Sequence, residues 1–351
     1  MTKKTKYYDW GETLSYDAPL TMVVGARGIG KTFGIRLQCV RDWLRDGSRF
    51  VEVSRFKAEQ GEIVKGYFDR LEPLFPSLLF KVEGSRGYVA HKPASEDEKP
   101  AWEVLCYFVA MTELQKSKRS TYERVRRIIM DEAIIEHSDR FHRYLPGEWE
   151  VLANLIDSVS RERPESTVHP RVYLLGNAVD LINPYFEHMS IFSPPKRGYS
   201  WHLGKLALLH YVEDGEYGSA KQAKTVAGRM LAGSEAGQAA AFSEFSREYE
   251  GSIAKKPPQA RFQFAIRWQK KAWGLWLDES EGRYYVSSKV PAGGRTIALS
   301  IGEVAPNRPM IEKTAPTMRA ILGLARMDGL RFESLGQRAA FFEACGMLGW
   351  T

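Results

Sequence analysis

A chain of 351 residues is long enough to bury two separate cores. At 44% hydrophobic and 26% charged residues it has a soluble protein's composition, and no apolar run approaches membrane-spanning length. Residues 1–10 are charged and lack an apolar h-region, so no signal peptide is expected, and three scattered cysteines (Cys39, Cys106, Cys345) fit a reducing, intracellular compartment without a disulfide framework or zinc site.

Residues 19–24, Pro-Leu-Thr-Met-Val-Val, read as a short buried strand, and residues 33–40 carry a helical apolar pattern. Between them residues 25–32 read Gly-Ala-Arg-Gly-Ile-Gly-Lys-Thr, a complete GxxxxGK[ST] phosphate-binding loop in the context that confirms it. Gly25, Arg27, Gly28 and Gly30 would lie against the phosphates, where curled backbone N–H groups and the helix N-terminus favour negative charge. Lys31 would reach the β- and γ-phosphates and Thr32 would bind Mg²⁺, which makes ATP and Mg²⁺ the expected cofactors.

Further strands are expected at 50–55, 104–109, 127–132 and 171–177, with helices over 32–46, 61–74 and 148–159 between them. This alternation predicts an α/β domain with a mainly parallel sheet. Residues 80–89 read as an inserted hairpin and 92–100 as a solvated loop. From 216 to 250 the composition turns to Ala, Gly, Ser, Lys and Glu, with helical patterns over 220–231 and 235–249. The double Pro at 257–258 opens a second module with strands at 261–268, 272–277 and 283–287 and helical patterns over 317–326 and 336–348. The expected division is therefore 1–205, a largely helical linker at 206–250, and 251–351.

Charge divides the same way. Residues 251–351 hold 15 Lys+Arg against 8 Asp+Glu, whereas the first 250 hold 35 of each. A basic module joined to a neutral nucleotide-binding module points to a polyanionic partner.

Ile128-Ile129-Met130 followed by Asp131-Glu132 supplies the second half of an ATPase site. Asp131 would hold Mg²⁺ through water, and Glu132 would polarise the water attacking the γ-phosphate. Asn177 ends the next strand, either as a γ-phosphate contact or as an ordinary strand-terminating turn residue. Arg161 and Arg163 follow a helix, as an arginine finger or as cations at a solvated helix end. The basic stretch 116–127 is either a phosphate-contacting surface or a solvated turn entering the Asp131 strand. Basic and aromatic residues interleave over 261–283, with the tryptophans as stacking surfaces or, more simply, sheet core. No NKxD motif occurs, against a GTPase, and Ser334-Leu335-Gly336-Gln337 lies on the wrong side of Asp131 for a transporter ATPase signature.

Leu14-Ser15-Tyr16-Asp17, the Gly25–Thr32 loop, Arg55-Phe56-Lys57, Asp131-Glu132, the segment 157–163, Gly176-Asn177-Ala178-Val179 and Asn183-Pro184-Tyr185-Phe186 together resemble the DNA-packaging ATPases of the phi29-like small podoviruses. The likeness runs from about residue 6 to 186 and continues more weakly beyond. It implies an ASCE-type P-loop ATPase domain followed by a degenerate RNase H-like domain. It also implies a homomeric ring, five-membered by family likeness, docked on a procapsid portal with a structural RNA and driving double-stranded DNA into the head. Arg161 would then be the finger given to a neighbour's ATP, Lys57 and Lys118 further trans-acting cations, and Asn177 the coupling residue. The longer stretch 164–170 departs from the family and leaves Arg163 without a clear role. The strand 261–268 holds no carboxylate, so nucleic-acid binding without cleavage is expected. The rival readings are a terminase with a working nuclease and a non-catalytic nucleotide-gated DNA-binding protein.

Overall fold

Five residues, four of them apolar, form β1 (Leu20–Val24), and every later parallel strand is recruited to its flanks. The structure is a computed structural model describing residues 7–95, 97–114, 122–135, 144–145, 147–160, 169–181, 183–191, 194–212, 250–268, 271–299, 301–310, 321, 323–324, 329–334, 337–338 and 341–342. It divides into two units, residues 1–190 with 195–245 and residues 191–194 with 246–351.

The first unit is built on a nine-stranded sheet in the order β3-β4-β5-β2-β6-β7-β1-β9-β8. Its central strands β5 (Glu103–Ala110), β2 (Arg49–Ser54), β6 (Val125–Met130), β7 (Arg171–Gly176), β1 and β9 (Ala207–Tyr211) run parallel. Both faces are covered, and most positions of these strands are accordingly buried. Helix α1 (Trp10–Ser15) precedes β1 and α2 (Lys31–Asp46) follows it, packing Ile35, Cys39, Val40 and Trp43 into a core with Val23, Phe50, Leu105 and Ile129. α2 stops at Gly47, whose φ of 68° is the left-handed conformation that glycine adopts without penalty.

Three expectations need correction. The hairpin β3 (Leu78–Glu83) and β4 (Arg86–His91) is no insertion. It pairs antiparallel with β5 and extends the sheet. The helix expected at 61–74 is instead α3 (Lys57–Val64), followed by turns and a single 3-10 turn at Glu72–Leu74. Pro73 enters that turn, and Gly66 at φ 62° separates it from α3. Finally, the first unit does not end at 205. β9 lies between β1 and the edge strand β8 (Gly198–His202), because Ala-Leu-Leu-His-Tyr is a buried apolar run in register with Leu20–Val24. Residues 213–249, with the expected linker helices, lie outside the described residues.

β9 is also pinned from the N-terminus. The Tyr8 hydroxyl bonds His210 Nδ1 at 2.7 Å and Thr13 Oγ1 at 2.5 Å, while the His210 ring stacks on Tyr199 at 3.8 Å. Burial holds the His210 imidazole at about 4, well below the usual histidine value.

The second unit has a five-stranded mixed sheet in the order β13-β10-β11-β12-β14. β10 (Arg261–Trp268), β11 (Lys271–Asp278) and β12 (Arg283–Ser287) form an antiparallel meander. β13 (Thr296–Ala298) joins β10 and β14 (Leu330–Phe332) joins β12, both in parallel. Its core includes Ile266, Trp273, Leu275, Val286, Phe332 and Phe341.

Two stability outcomes follow. Ala for Gly in a helix is ordinarily worth up to about 1 kcal/mol. At Gly34, however, a Cβ would lie 2.4 Å from Cδ1 of Trp10, a buried ring anchored by its Nε1–H donating to the Lys31 carbonyl at 2.9 Å. Gly34→Ala is therefore expected to destabilise the first unit by a net of about 1–2 kcal/mol, the overpacking cost exceeding the helix gain, as read from urea unfolding. Between the ordinary histidine value and about 4 the unfolded chain binds a proton at residue 210 that the folded chain does not. Stability should thus fall as pH is lowered through that window, by about 1–2 kcal/mol for this half-buried ring, and His210→Gln should flatten the dependence measured by urea midpoints at several pH values.

Candidate nucleotide site

The parallel register sets the site. Val53, Met130, Leu174 and Met22 stand level across β2, β6, β7 and β1. Two residues beyond that level come Arg55, Glu132, Gly176 and Val24, so the phosphate loop, the acidic pair and Asn177 all emerge from the sheet's carboxyl edge. Ligands bind at this edge in open α/β sheets.

The loop itself is tight. Gly28 and Gly30 have φ of 75° and 92°, conformations that exclude most side chains. A Cβ on Gly25 would lie 2.9 Å from Val212 Cβ. Lys31 is 6% exposed, and its ammonium donates to the carbonyls of Gly25 (3.0 Å) and Ala26 (2.8 Å) and to Asn177 Oδ1 (3.4 Å). Thr32 Oγ1 donates to Asp131 Oδ2 at 2.7 Å, joining the two halves of the motif. Asp131 Oδ1 accepts from the Glu132 N–H at 3.0 Å. Glu132 has φ 51°, in the left-handed region, and its exposed side chain lies beside Asp131 on a cavity of about 480 Å³ that Arg27, Arg36, Arg55 and Asn177 also line.

This donor set fits ATP with Mg²⁺. A hydroxyl and a carboxylate converge at hydrogen-bond distance as hard oxygen ligands, and backbone curls around glycines with a lysine at its centre. Lys57 is not brought into this group within the chain. It pairs with Glu113 at 3.3 Å and lines a separate cavity of about 210 Å³ with Arg86 and Tyr107. Lys118, Arg161 and Arg163 lie outside the described residues.

The described end of the basic stretch takes the structural reading. Arg124 donates to the Asp46 carbonyl at 2.6 Å, Arg126 pairs with Asp46 at 2.9 Å and Arg127 with Asp42 at 2.6 Å, cations placed on the negative end of α2. In the second unit Trp273 is buried in the core, and Trp276 is half-buried with Lys256 over its ring at 4.2 Å. These two rings serve the sheet. Arg261 and Arg283 are exposed, each beside a glutamate at 3.3 Å and 3.7 Å.

Two buried ion pairs flank the acidic residues, and sequence reasoning assigned neither. Arg36 on α2 bonds Glu52 on β2 at 2.5 Å, with the Tyr67 hydroxyl donating to the same carboxylate at 2.7 Å. Arg55, just past β2, bonds Glu148 at the start of α4 (Glu148–Ser160). The only local signal was the charge at 52 inside an otherwise apolar run.

A family model described as Podovirus DNA encapsidation protein (Gp16) matches residues 1–345. The DNA packaging proteins of Bacillus phages phi29 and PZA are each 29% identical over 344 residues, covering 97% of this chain and 97% of theirs. Among solved structures, a chain of the bacteriophage phi29 genome packaging motor assembly superposes with a TM-score of 0.75 at 23% identity, over 98% of this chain and 100% of that one. The N-terminal domain of the phi29 DNA packaging ATPase gives 0.50 at 27% identity, over 61% of this chain and 100% of that domain. With the phosphate loop, the acidic pair and both units in place, this chain belongs to the podovirus DNA encapsidation protein (Gp16) family.

Proposed function

We propose that this chain is an ATP-hydrolysing subunit of a viral DNA-packaging motor, acting in a homomeric ring on double-stranded DNA. The observation that carries the reading is the Thr32–Asp131 bond beside Glu132, which assembles both halves of an ATPase site on one sheet edge. The packaging role of its relatives and its membership of the family support the motor context.

ATP supplies the phosphoanhydride bond to be broken, and Mg²⁺ spreads the charge that develops on the phosphates. The chain's residues do the positioning. Lys31 would exchange its bonds to the Gly25 and Ala26 carbonyls for phosphate oxygens. Thr32 and Asp131 would hold the metal, and Glu132 would orient the attacking water. Asn177, touching Lys31 at 3.4 Å, would report the state of the loop to the end of β7. Arg161 of a neighbouring subunit would stabilise the transition-state charge, with Lys57 and Lys118 as further cations across the boundary. The excess positive charge of residues 251–351 would meet DNA phosphates. In this reading the ring docks on a procapsid portal with a structural RNA, in the host cytoplasm.

ATPase activity with and without duplex DNA decides. Glu132→Gln should keep ATP affinity within about twofold while losing at least ~10²-fold in kcat, the contribution of a positioned general base. Wild-type turnover in that variant would overturn the reading. Arg161→Ala should lose ~10³-fold or more and recover in mixed rings beside subunits with an intact finger. Full-rate hydrolysis by monomers at high dilution would remove the trans contribution.

A further inference from the structure

Arg55 takes no part in the steps above, yet no other described side chain near Glu132 is so fully engaged. It is 4% exposed. Its Nε donates to both Glu148 oxygens at 3.0 Å, one terminal nitrogen to the Glu132 carbonyl at 2.8 Å, and the other to the Ala133 carbonyl at 2.5 Å. Strand register brings this about, since Arg55 and Glu132 stand level, two residues beyond Val53 and Met130.

The rest of the arrangement fixes the arginine. Glu148 is fully buried and also accepts from the Leu145 N–H at 2.8 Å and the Tyr185 hydroxyl at 2.5 Å. Burial, then the charge of Glu148, push the Tyr185 hydroxyl well above the usual tyrosine range, so it stays a donor. Tyr144 lies under the guanidinium at 5.1 Å and accepts the Ile135 N–H at 2.9 Å. The segment 132–135 is thus held at both ends.

Glu132 needs such a hold. Its side chain is exposed, and its φ of 51° is one that a residue with a Cβ keeps only under outside restraint. Its N–H is tied to Asp131 and its carbonyl to Arg55. We propose that Arg55, locked by Glu148, is a positioning residue that sets the direction of the Glu132 carboxylate through the backbone. Lysine cannot substitute, because one ammonium lacks the planar fork that serves two carbonyls and a carboxylate together. The inference rests on Glu132 acting in hydrolysis.

The test measures DNA-stimulated kcat, ATP affinity and binding of ADP–beryllium fluoride and ADP–aluminium fluoride by full-length wild type, Arg55→Lys and Glu132→Gln. Arg55→Lys should fold, bind ATP and ADP–beryllium fluoride within about twofold of wild type, and lose at least about tenfold in kcat, as misplacement of a catalytic group does. It should also lose tightness for ADP–aluminium fluoride, the transition-state mimic. A kcat within about twofold of wild type overturns the proposal, as does an equal loss in ATP affinity and kcat, which marks a merely structural role. If Arg55→Lys does not fold, Tyr185→Phe, which removes the hydroxyl donating to Glu148 and so loosens the lock on Arg55, decides by the same split. A lower kcat at unchanged ATP affinity supports the proposal, and an unchanged kcat or a parallel loss of affinity overturns it. Glu132→Gln separates the two readings. If it turns over normally, the hydrolysis reading fails. If it is inactive while Arg55→Lys is normal, only the positioning role fails.

Discussion

Parallel strands deliver their carboxyl ends to one edge, and the register between them decides which residues meet there. In this chain the pairings Val53–Met130, Met130–Leu174 and Val24–Gly176 put the ends of four strands level. A one-residue slip of β6 would turn every core side chain of that strand to the wrong face and carry Asp131 away from Thr32. The bond between those two residues is therefore a readout of register, not an independent feature. The same levelling brings an arginine from β2 against the backbone of Glu132, which no local rule of helix or turn would have done.

Register alone does not hold the residues just past the strand ends, and here the two buried ion pairs matter. Burying a charge costs several kcal/mol, and a well-packed apolar pair often does as well for stability, whereas removing one partner alone costs about 3–5 kcal/mol. Their value lies in placement. Glu52 ties the second turn of α2, the helix that begins in the phosphate loop, to β2. Three residues further on, just past β2, Arg55 ties that strand to the acidic segment and to α4. Movement of the loop helix and movement of Glu132 thus both act on one short strand. α3, which starts with Lys57, follows Arg55 by two residues, so the edge carrying that exposed cation is connected to the same strand.

Much of this was legible in the sequence where chemistry is local. The loop at 25–32 carries its own geometry in its glycines, and Asp131-Glu132 ends an apolar run long enough to be a strand. What escaped was non-local. Arg55, Glu148 and Tyr185 lie far apart in the chain, and an arginine after a strand or a glutamate opening a helix looks like a solvated end. β9 escaped for a different reason. Its five residues come after β8 and the short turn Leu203–Lys205, and before the composition changes at 216, so an edge at 205 falls just short of the last buried run. The hairpin 78–91 has the alternation of a free ribbon, and only its pairing with β5 reveals a sheet edge.

The second unit bears on how DNA would be gripped. Interleaved arginines and tryptophans suit either base stacking or phosphate contact, and the two make different demands on the rings. Trp273 is spent on the core and Trp276 is covered by Lys256, its indole N–H donating to the Lys289 carbonyl at 3.1 Å. Trp273 presents no open face, and a cation already occupies one face of Trp276. Arg261 and Arg283 remain exposed, and the glutamates beside them form surface pairs worth at most about 1 kcal/mol each. Exchanging such a partner for a phosphate costs little and neutralises a backbone charge, with release of the counterion that accompanied it. Contact of that kind carries no sequence preference and is renewed at each phosphate along the duplex, which is what a motor moving over arbitrary genome sequence requires.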